Sequence, residues 1–471
     1  MREADYGTAL SVAAELAHSW LEGIPERPTS IVATAAEILA DHEQPFPDDG
    51  TAPSDVLREL SRIAEPGLAA TGSGRYFGLV TGGSLPAALG ADWMVSAWDQ
   101  NAVFADLYPA VVAVELMAAR WVLEALDLPR SSAVGFCTGG QGANTAGLLA
   151  ARHSVLAAHD YDVEAGGLRG APSISVIASA ERHSTVDRAL RLLGLGTDSV
   201  RNVAADNEGR IDMSDFVRAL EESDGPTIVC AQAGNVNGGA FDPLDEIAAE
   251  VNHRRSIRND IWLHVDGAFG LWVRASETRR HLAVGADAAD SWATDAHKWL
   301  NTPYDCGITI VRDRQALGRA IGYRAAYLPS PGAVPDSVDS VVESSRRARG
   351  VPVWAALRSL GRAGLAALVD RCCDRAAELA ALLSPVDGVE VMQTQINQIV
   401  IAFNDSSPMA DHDGHTQRVL SAIQDSGVCF PTGTVWHGRS AIRVSVSNWR
   451  TDEIDIDETA AALIDAHSTT G

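Results

Sequence analysis

Beginning near residue 100, helical segments alternate with short β-rich runs, and this alternation constrains the fold more than any other feature of the sequence. Such a pattern predicts a doubly wound α/β domain with a mainly parallel sheet. Four runs are typical of buried strands that end in polar or glycine-rich turns: SAVGF (132–136), SISVIAS (173–179), TIVCAQA (227–233) and DIWLHV (260–265). Because ligands of open α/β sheets bind at the carboxyl ends of the strands, we expect the functional residues in those turns.

Two further parts are predicted to flank this large domain, which we place at residues 83–350. Residues 1–82 are predicted to be an N-terminal helical arm, because apolar positions recur at helical spacing from Leu10 to Leu21. Residues 351–471 combine a long helix, two strand-like runs and two further helices, which indicates a smaller α+β domain. Apolar arms of this kind bury against a partner subunit, so we expect a homodimer.

Charge and cysteine content narrow the classes of function. The 471 residues carry 37 Lys and Arg against 62 Asp and Glu, a formal net charge of −25, which repels nucleic-acid phosphates and anionic membrane surfaces. Charged residues interrupt the apolar runs before they reach the ~20 residues that a membrane helix needs. The six cysteines show no CxxC spacing, so we expect neither a metal site nor disulfides. These features predict a soluble cytoplasmic protein that binds neither nucleic acid nor membranes.

The first candidate site follows the first predicted strand, where CTGGQGANT leads into a helical run. Gly139 and Gly140 let the backbone approach an anion closely, and the free N–H groups at a helix start favour a phosphate group. Glycines also occur at such positions simply because they let a strand and a helix pack tightly. The pattern alone therefore supports either interpretation.

Three ionisable residues at the ends of other runs add to this signal. Asp266 ends DIWLHVD and needs a cationic or metal partner there, although an aspartate after a strand is more often a turn or cap residue. Lys298 lies among tryptophans, where partial burial would make it a better nucleophile toward an aldehyde. The alternative is a solvated lysine whose stem packs on an indole. His183 also follows a strand, and a lone histidine there is usually structural.

Together, these four signals match what pyridoxal 5′-phosphate (PLP) requires of a protein. Its phosphate binds at a helix start, and its aldehyde condenses with a lysine. A carboxylate keeps its pyridine nitrogen protonated, and an aromatic ring stacks on its face. The combination predicts a PLP-dependent enzyme, whereas each signal alone does not.

The segments HVDGAFG and DAHKW, which contain Asp266 and Lys298, resemble the cofactor-binding segments of group II PLP-dependent decarboxylases. This family includes aromatic amino acid, histidine and glutamate decarboxylases. The similarity extends over most of the chain, to RYFGLVTGGSLPA, GNVNGGAFDPL, SRRARGVPVW and IRVSVSNWRT. The resemblance implies fold type I, the α/β fold of PLP-dependent transferases, and a site built across a homodimer interface.

The resemblance also implies a role for each candidate residue. Lys298 matches the lysine that forms the Schiff base, and Asp266 matches the partner of the ring nitrogen. His183 matches the residue that stacks on the ring and helps to position the substrate carboxylate. The implied cofactor-binding residues are Gly139, Gly140, Gln141, His183, Asn235, Asp266, Ala268, His297 and Lys298. The glycines, Gln141 and His297 would serve the phosphate, and Ala268 would line the ring.

Candidate pocket residues and two departures complete the comparison with the family. The candidates for selecting the substrate side chain are Tyr76, Phe77 and Tyr327. The family often has Ser or Thr followed by Glu where this chain has Gln141 and Gly142. Aromatic amino acid decarboxylases also carry a proton-donating tyrosine on a loop, and the matching stretch SPGAVPDSVDSVVESSRR has none.

The reaction expected from the resemblance is α-decarboxylation of an L-amino acid to its amine and CO₂. No run of basic residues marks a pocket for an acidic side chain, and aromatic residues near Tyr76 favour an aromatic or apolar substrate. Transamination, oxidative deamination to an aldehyde and carbon–carbon cleavage stay open as alternatives. A catalytically silent binding homologue is a further alternative, against which the retention of Lys298, Asp266 and His183 argues.

Overall fold

The computed structural model describes residues 6–323, 332, 334–405 and 411–470. Its central sheet contains β1 (Ala133–Cys137), β2 (Ser175–Ser179), β3 (Val200–Val203), β4 (Thr227–Gln232), β5 (Ile261–Asp266), β6 (Ser291–Asp295) and β7 (Gly307–Val311). The order across the sheet is β1-β7-β6-β5-β4-β2-β3. The strands from β6 to β3 pair in parallel, and β7 pairs antiparallel with β1 and β6. The predicted doubly wound, mainly parallel sheet is therefore confirmed.

The four predicted strands correspond to β1, β2, β4 and β5, with ends that differ by one or two residues. Strands β4 and β5 are buried along their whole length, as expected for parallel strands covered by helices on both faces. Strands β3, β6 and β7 were not predicted. Strand β6 has the sequence SWATD. All five residues are buried, but the three polar ones do not give the apolar pattern of a buried strand.

Helices cover the central sheet and form the N-terminal region. Up to the end of the large sheet they are α1 (Tyr6–Gly23), α2 (Ala35–His42), α3 (Pro53–Ala64), α4 (Pro86–Trp98), α5 (Pro109–Ala125), α6 (Gly139–Ala157), α7 (Val163–Gly166), α8 (Ser184–Leu192), α9 (Met213–Glu221), α10 (Leu244–Arg255) and α11 (Arg314–Ile321). Helix α6 packs against β5, β6 and β7. The core between the layers contains large side chains without exposed surface, among them Trp272, Trp292 and Trp299.

The C-terminal region forms a second, smaller α+β unit. Its antiparallel sheet has the order β10-β11-β9-β8 and contains β8 (Val389–Gln395), β9 (Gln398–Phe403), β10 (Thr432–Trp436) and β11 (Arg439–Ser445). The helices of this region are α12 (Gly350–Leu383), α13 (His412–Ser426) and α14 (Glu453–Thr470). Helix α12 reaches back to pack on α4 and α5. The predicted fold class is confirmed, whereas the boundaries at residues 82 and 350 stay a prediction.

The parallel strands β2, β4, β5 and β6 end at the same edge of the central sheet, and β1 ends there as well. The residues that follow them therefore meet, as the sequence predicts for a ligand site. No helix among the described residues is both long and apolar enough to cross a membrane.

Candidate active site

A cavity of about 250 Å³ opens at the carboxyl ends of these strands. It brings together eight of the predicted site residues, namely Gly139, Gly140, Gln141, His183, Asp266, Ala268, His297 and Lys298. These residues come from four separate segments of the chain, so the predicted convergence at one edge of the sheet is observed. A larger cavity of about 870 Å³ lies elsewhere and contains none of these residues.

The glycine segment forms a cradle at the start of α6. Gly139 has φ +71, which favours glycine, and the side chain of Thr138 does not cap the helix. A Cβ atom built on Gly140 would lie 2.7 Å from Asp295 Oδ2, and one on Gly139 would lie 3.3 Å from the His297 ring. Larger residues would therefore fill the cradle. The uncapped N–H groups and the helix dipole make this a place for an anion.

Hydrogen bonds hold the Asp266 carboxylate in place at the end of β5. Its Oδ2 accepts a hydrogen bond from Asn144 Nδ2 at 3.1 Å, and its Oδ1 accepts one from the Ala268 N–H at 3.2 Å. Asp266 is 6% exposed and lines the cavity. A buried carboxylate with two donors and an open side toward the cavity can hold a cationic ring N–H there.

The orientation of the Asn144 amide follows from a buried chain of hydrogen bonds. Asn144 Oδ1 accepts from His264 Nε2 at 2.8 Å, while His264 Nδ1 accepts from the Ser291 hydroxyl at 2.8 Å. The Trp262 indole N–H donates to Ser291 Oγ at 2.8 Å, which leaves the hydroxyl proton for His264. Burial lowers the pKa of His264 to about 3, so its ring is neutral in this chain.

His183 precedes α8 and faces the cavity as a neutral ring. Its Nδ1 accepts from the Thr185 N–H at 3.3 Å and lies 2.9 Å from the Thr185 hydroxyl, so the proton resides on Nε2. Burial lowers the pKa of His183, and the charges of Lys298 and Arg443 lower it further, against the opposing effect of Asp266. Asn144 also donates to Thr185 Oγ1 at 3.3 Å and thereby links His183 to Asp266.

Lys298 follows β6 and reaches the cavity beside the cradle. Its Nζ lies 2.9 Å from Asp295 Oδ2, and its side chain is 23% exposed. The neighbouring His297 accepts the Cys306 N–H at Nδ1 over 3.1 Å, which places its proton on Nε2. Burial lowers the pKa of His297. Lys298 is therefore a primary amine held in a polar cavity opposite Asp266 and His183.

Three predicted residues, Asn235, Tyr76 and Phe77, do not line this cavity. The Asn235 side chain is turned away: its Nδ2 donates to Glu181 O at 3.3 Å, and its Oδ1 accepts from Asn237 N. Phe77 is 1% exposed in the main core, and Tyr76 stacks on Phe430 at 5.2 Å. Tyr327 lies outside the described residues. Glu181 and Asn237 thus satisfy the Asn235 amide, and a role for Asn235 in binding the cofactor stays a prediction.

Several contributors were not identified from the sequence: Asn144, Thr185, Gln232, Asp295 and Arg443. Asn144 and Thr185 follow the predicted cradle and His183 by a few residues, so helical spacing could have indicated them. Asp295 lies in the DAHKW segment itself. Arg443 is 8% exposed, donates to Val236 O at 3.1 Å, and has an Nε atom without a hydrogen-bond partner among the described residues.

Comparisons with a family model and with known proteins all indicate pyridoxal-dependent decarboxylases. The family model described as "Pyridoxal-dependent decarboxylase conserved domain" matches residues 36–404. Cysteine sulfinic acid decarboxylase of Mus musculus is 32% identical over 407 residues, which cover 82% of this chain and 80% of that protein. Aromatic-L-amino-acid decarboxylase of Bacillus atrophaeus is 27% identical over 426 residues, which cover 86% of this chain and 84% of that protein.

A solved structure shows the same fold. The structure of Oryza sativa TDC with PLP and tryptamine superposes with a TM-score of 0.91 and 22% identity, covering 100% of this chain and 99% of that one. At this level of identity the likeness concerns the fold.

The residues present fit PLP. The bare cradle at Gly139 and Gly140 suits its phosphate, Lys298 is an amine within the same cavity, and Asp266 offers a carboxylate to its ring nitrogen. The matched family, the fold and this donor set agree. The chain belongs to the pyridoxal-dependent decarboxylase family, a family of carboxy-lyases that remove CO₂ from amino acids with PLP as cofactor.

Proposed function

We propose that this protein decarboxylates an L-amino acid with an aromatic or apolar side chain, releasing the amine and CO₂. The observation that carries this proposal is the arrangement of Lys298, Asp266 and His183 around one cavity at the strand ends. PLP supplies the electron sink into which the electrons of the broken carbon–carbon bond move. The protein supplies binding, orientation and charge.

Each residue of this group has a distinct proposed role. Lys298 is the amine that would hold the cofactor through its aldehyde. Asp266, fixed by Asn144 and the Ala268 N–H, favours the protonated ring nitrogen, which makes the sink effective. His183 presents Nε2–H and a flat ring to the cavity, which suits stacking and the positioning of a carboxylate.

The composition of the cavity supports an uncharged substrate side chain. Among the described residues that line it, Lys298 is the only Lys or Arg, and the proposed chemistry uses that amine. Outside the cavity, the Tyr304 ring packs on His297 at 4.4 Å and is 62% exposed. A second carboxylate on the substrate would meet the carboxyl groups of Asp266 and Asp295 in this cavity.

Tyr76 and Phe77 stay proposed for side-chain selection, with the stacked Tyr76–Phe430 pair as the available aromatic surface. Burial raises the pKa of Tyr76, and the charge of Tyr304 raises it further. Relatives named for tryptophan and aromatic amino acids are consistent with such a surface.

We also propose that the chain works as a homodimer. Helix α4 exposes Trp93, Met94 and Trp98 at 41%, 50% and 44%, and helix α1 exposes Leu10 at 60%. A partner subunit would remove this apolar surface from water. All six cysteines are free and buried, which supports the cytoplasm, where thiols stay reduced.

The experiment for the substrate is a screen of the cofactor-loaded protein against the twenty amino acids, with CO₂ and amine measured in the same samples. We expect aromatic or apolar amino acids to give equal amounts of both products. The Lys298→Ala variant, which lacks the only cavity amine among the described residues, should give neither product. Preferred turnover of aspartate, glutamate or cysteine sulfinate would contradict the proposal.

A further inference from the structure

Asp295 is a buried carboxylate that the reaction described above does not use. It ends β6, is 1% exposed, and lies between the cradle and Lys298. Its Oδ2 pairs with Lys298 Nζ at 2.9 Å, while its Oδ1 has no hydrogen-bond partner among the described residues. A buried carboxylate oxygen without a donor is costly, so a donor must arrive from what binds in the cavity.

The free oxygen lies against the bare backbone of the phosphate cradle. A Cβ atom built on Gly140 would be 2.7 Å from Oδ2 and 3.4 Å from Oδ1 of Asp295. A second carboxylate is close by, since Glu343 Oε1 accepts both the N–H of Thr138 at 3.2 Å and its hydroxyl at 3.1 Å. The helix start that would attract a phosphate therefore already has two carboxylates beside it.

We propose that Asp295 is a positioning residue that couples binding of the cofactor phosphate to the uptake of one proton. A phosphate monoester has its second pKa near ~6, so it enters mainly as a dianion at neutral pH. Two adjacent anions cannot both stay charged in a buried site without a large penalty. One proton shared between Asp295 and the phosphate turns this repulsion into a short, charge-assisted hydrogen bond.

No other titratable group described near Asp295 supplies the proton that phosphate binding would need. His297 Nε2 lies 3.7 Å from Oδ1, but burial lowers the pKa of that ring, and burial raises the pKa values of the Cys137 and Cys306 thiols. His183 and Asp266 face the same cavity, and burial lowers the pKa of His183.

Among the described residues that line the cavity, Lys298 is the only Lys or Arg. Condensation with the cofactor aldehyde would engage this amine, so Asp295 would share the Lys298 nitrogen with the cofactor instead of holding it alone. The proton requirement therefore applies to a ligand that carries both an aldehyde and a phosphate.

The test measures proton uptake and affinity rather than turnover. Titration calorimetry of the cofactor-stripped protein with PLP, in two buffers of different ionisation enthalpy at pH 8, counts the protons taken up. The same titration with pyridoxal, which has the aldehyde but no phosphate, provides the reference. We expect PLP to take up close to one proton more than pyridoxal does, and Asp295→Asn to abolish this excess.

The dissociation constant of PLP gives a second readout. For the parent protein it should rise with pH above 7 more steeply than for Asp295→Asn, with a difference approaching tenfold per pH unit. Asp374→Asn, a change of the same type at an exposed ion pair with Arg279, should behave as the parent.

Three outcomes would overturn the proposal. The first is equal proton uptake for PLP and pyridoxal by the parent protein, a measurement that does not depend on the folding of any variant. The second is an unchanged pH slope in Asp295→Asn. The third is an equal gain in affinity for both ligands in Asp295→Asn, which would show that the effect acts through Lys298. None of these depends on which amino acid is the substrate.

Discussion

At the scale of single residues, the site depends on groups whose ionisation is set by burial. His264 is 0% exposed and makes one hydrogen bond through each ring nitrogen, to Asn144 and to Ser291. Both bonds use the neutral ring, because Nδ1 must act as an acceptor. Protonation would replace this acceptor by a donor facing a hydroxyl that is fixed by Trp262, and the amide that holds Asp266 would lose its support.

His264 predicts a specific dependence of stability on pH. Its pKa is about 3 in the folded chain against 6.5 for an ordinary histidine, so between these values the unfolded state binds more protons. Stability therefore rises with pH in this window and is lost as pH falls below 6.5, by about 1.4 kcal/mol per unit from this group. We expect His264→Gln, which cannot titrate, to show a shallower loss of urea resistance between pH 6.5 and 5 than the parent.

The comparison is one of slopes and not of absolute stability, because the glutamine also disturbs the packing. The other histidines with lowered pKa values, His183, His297 and His415, are present in both proteins and contribute equally to both slopes. Parallel curves for parent and variant would show that His264 does not titrate in this range.

At the scale of elements, α12 is a helix with a break that only glycine accommodates. Gly361 has φ 61 and ψ −177, and no other atom lies within 4 Å of a Cβ atom built there. The barrier to a larger residue is thus backbone strain and not space, and such a conformation costs about 1–3 kcal/mol for a residue with a side chain. The break lets the first part of α12 follow α4 and α5 while the rest packs on the C-terminal unit.

We predict that Gly361→Ala lowers the free energy of unfolding by about 1–3 kcal/mol. Gly364→Ala is the matched control in the same helix, since its nearest contact would be an ordinary 3.4 Å to Leu360. The control should be neutral or stabilising, by up to about 1 kcal/mol, because alanine favours a helix over glycine. Urea unfolding of both variants measures the difference, and equal effects would contradict the role of the strained glycine.

The segment before α12 is fixed by a buried ion pair. Arg346 Nη1 and Nη2 donate to the two carboxylate oxygens of Glu115 on α5 at 2.7 and 2.9 Å, with side-chain exposures of 1% and 4%. Glu115 also accepts the Gly350 N–H at 2.9 Å. This pair positions the chain that leads from Glu343, beside the phosphate cradle, into α12.

Removal of one partner should be far more damaging than removal of both. Arg346→Leu leaves the Glu115 carboxylate buried without its cation, which costs about 3–5 kcal/mol. The double variant Glu115→Leu/Arg346→Leu should recover part of that loss, because no unpaired charge remains. Thermal unfolding of the parent, both single variants and the double variant gives the interaction free energy between Glu115 and Arg346. Strict additivity of the two losses would contradict a direct interaction.

At the scale of the whole molecule, local sequence patterns predicted the large sheet and the reactive residues. They did not predict the contacts between elements in the interior. Asp266 and Lys298 were predicted because each stands beside its own strand or motif. Asn144 and Asp295 lie in or beside segments that the sequence singled out, but they were missed because their roles arise from contacts between β5, β6 and α6. The Asn235 amide is likewise engaged by contacts that the sequence does not show, one with the distant Glu181 carbonyl and one with Asn237 in its own turn.

Helix α4 carries an exposed apolar surface that no described residue covers from water, which bears on how the chain assembles. Trp93, Met94 and Trp98 are all between 41% and 50% exposed, whereas a soluble monomer rarely shows several large apolar side chains on one helix. Burial of such side chains contributes about 25 cal/mol per Å².

We expect the parent to be a dimer in light scattering and Trp98→Glu to shift it toward monomer with a loss of cofactor affinity. Ile257→Glu is the control, since Ile257 is equally apolar and 72% exposed after α10. A fully active monomer of the parent at assay concentration would show that the face serves another purpose.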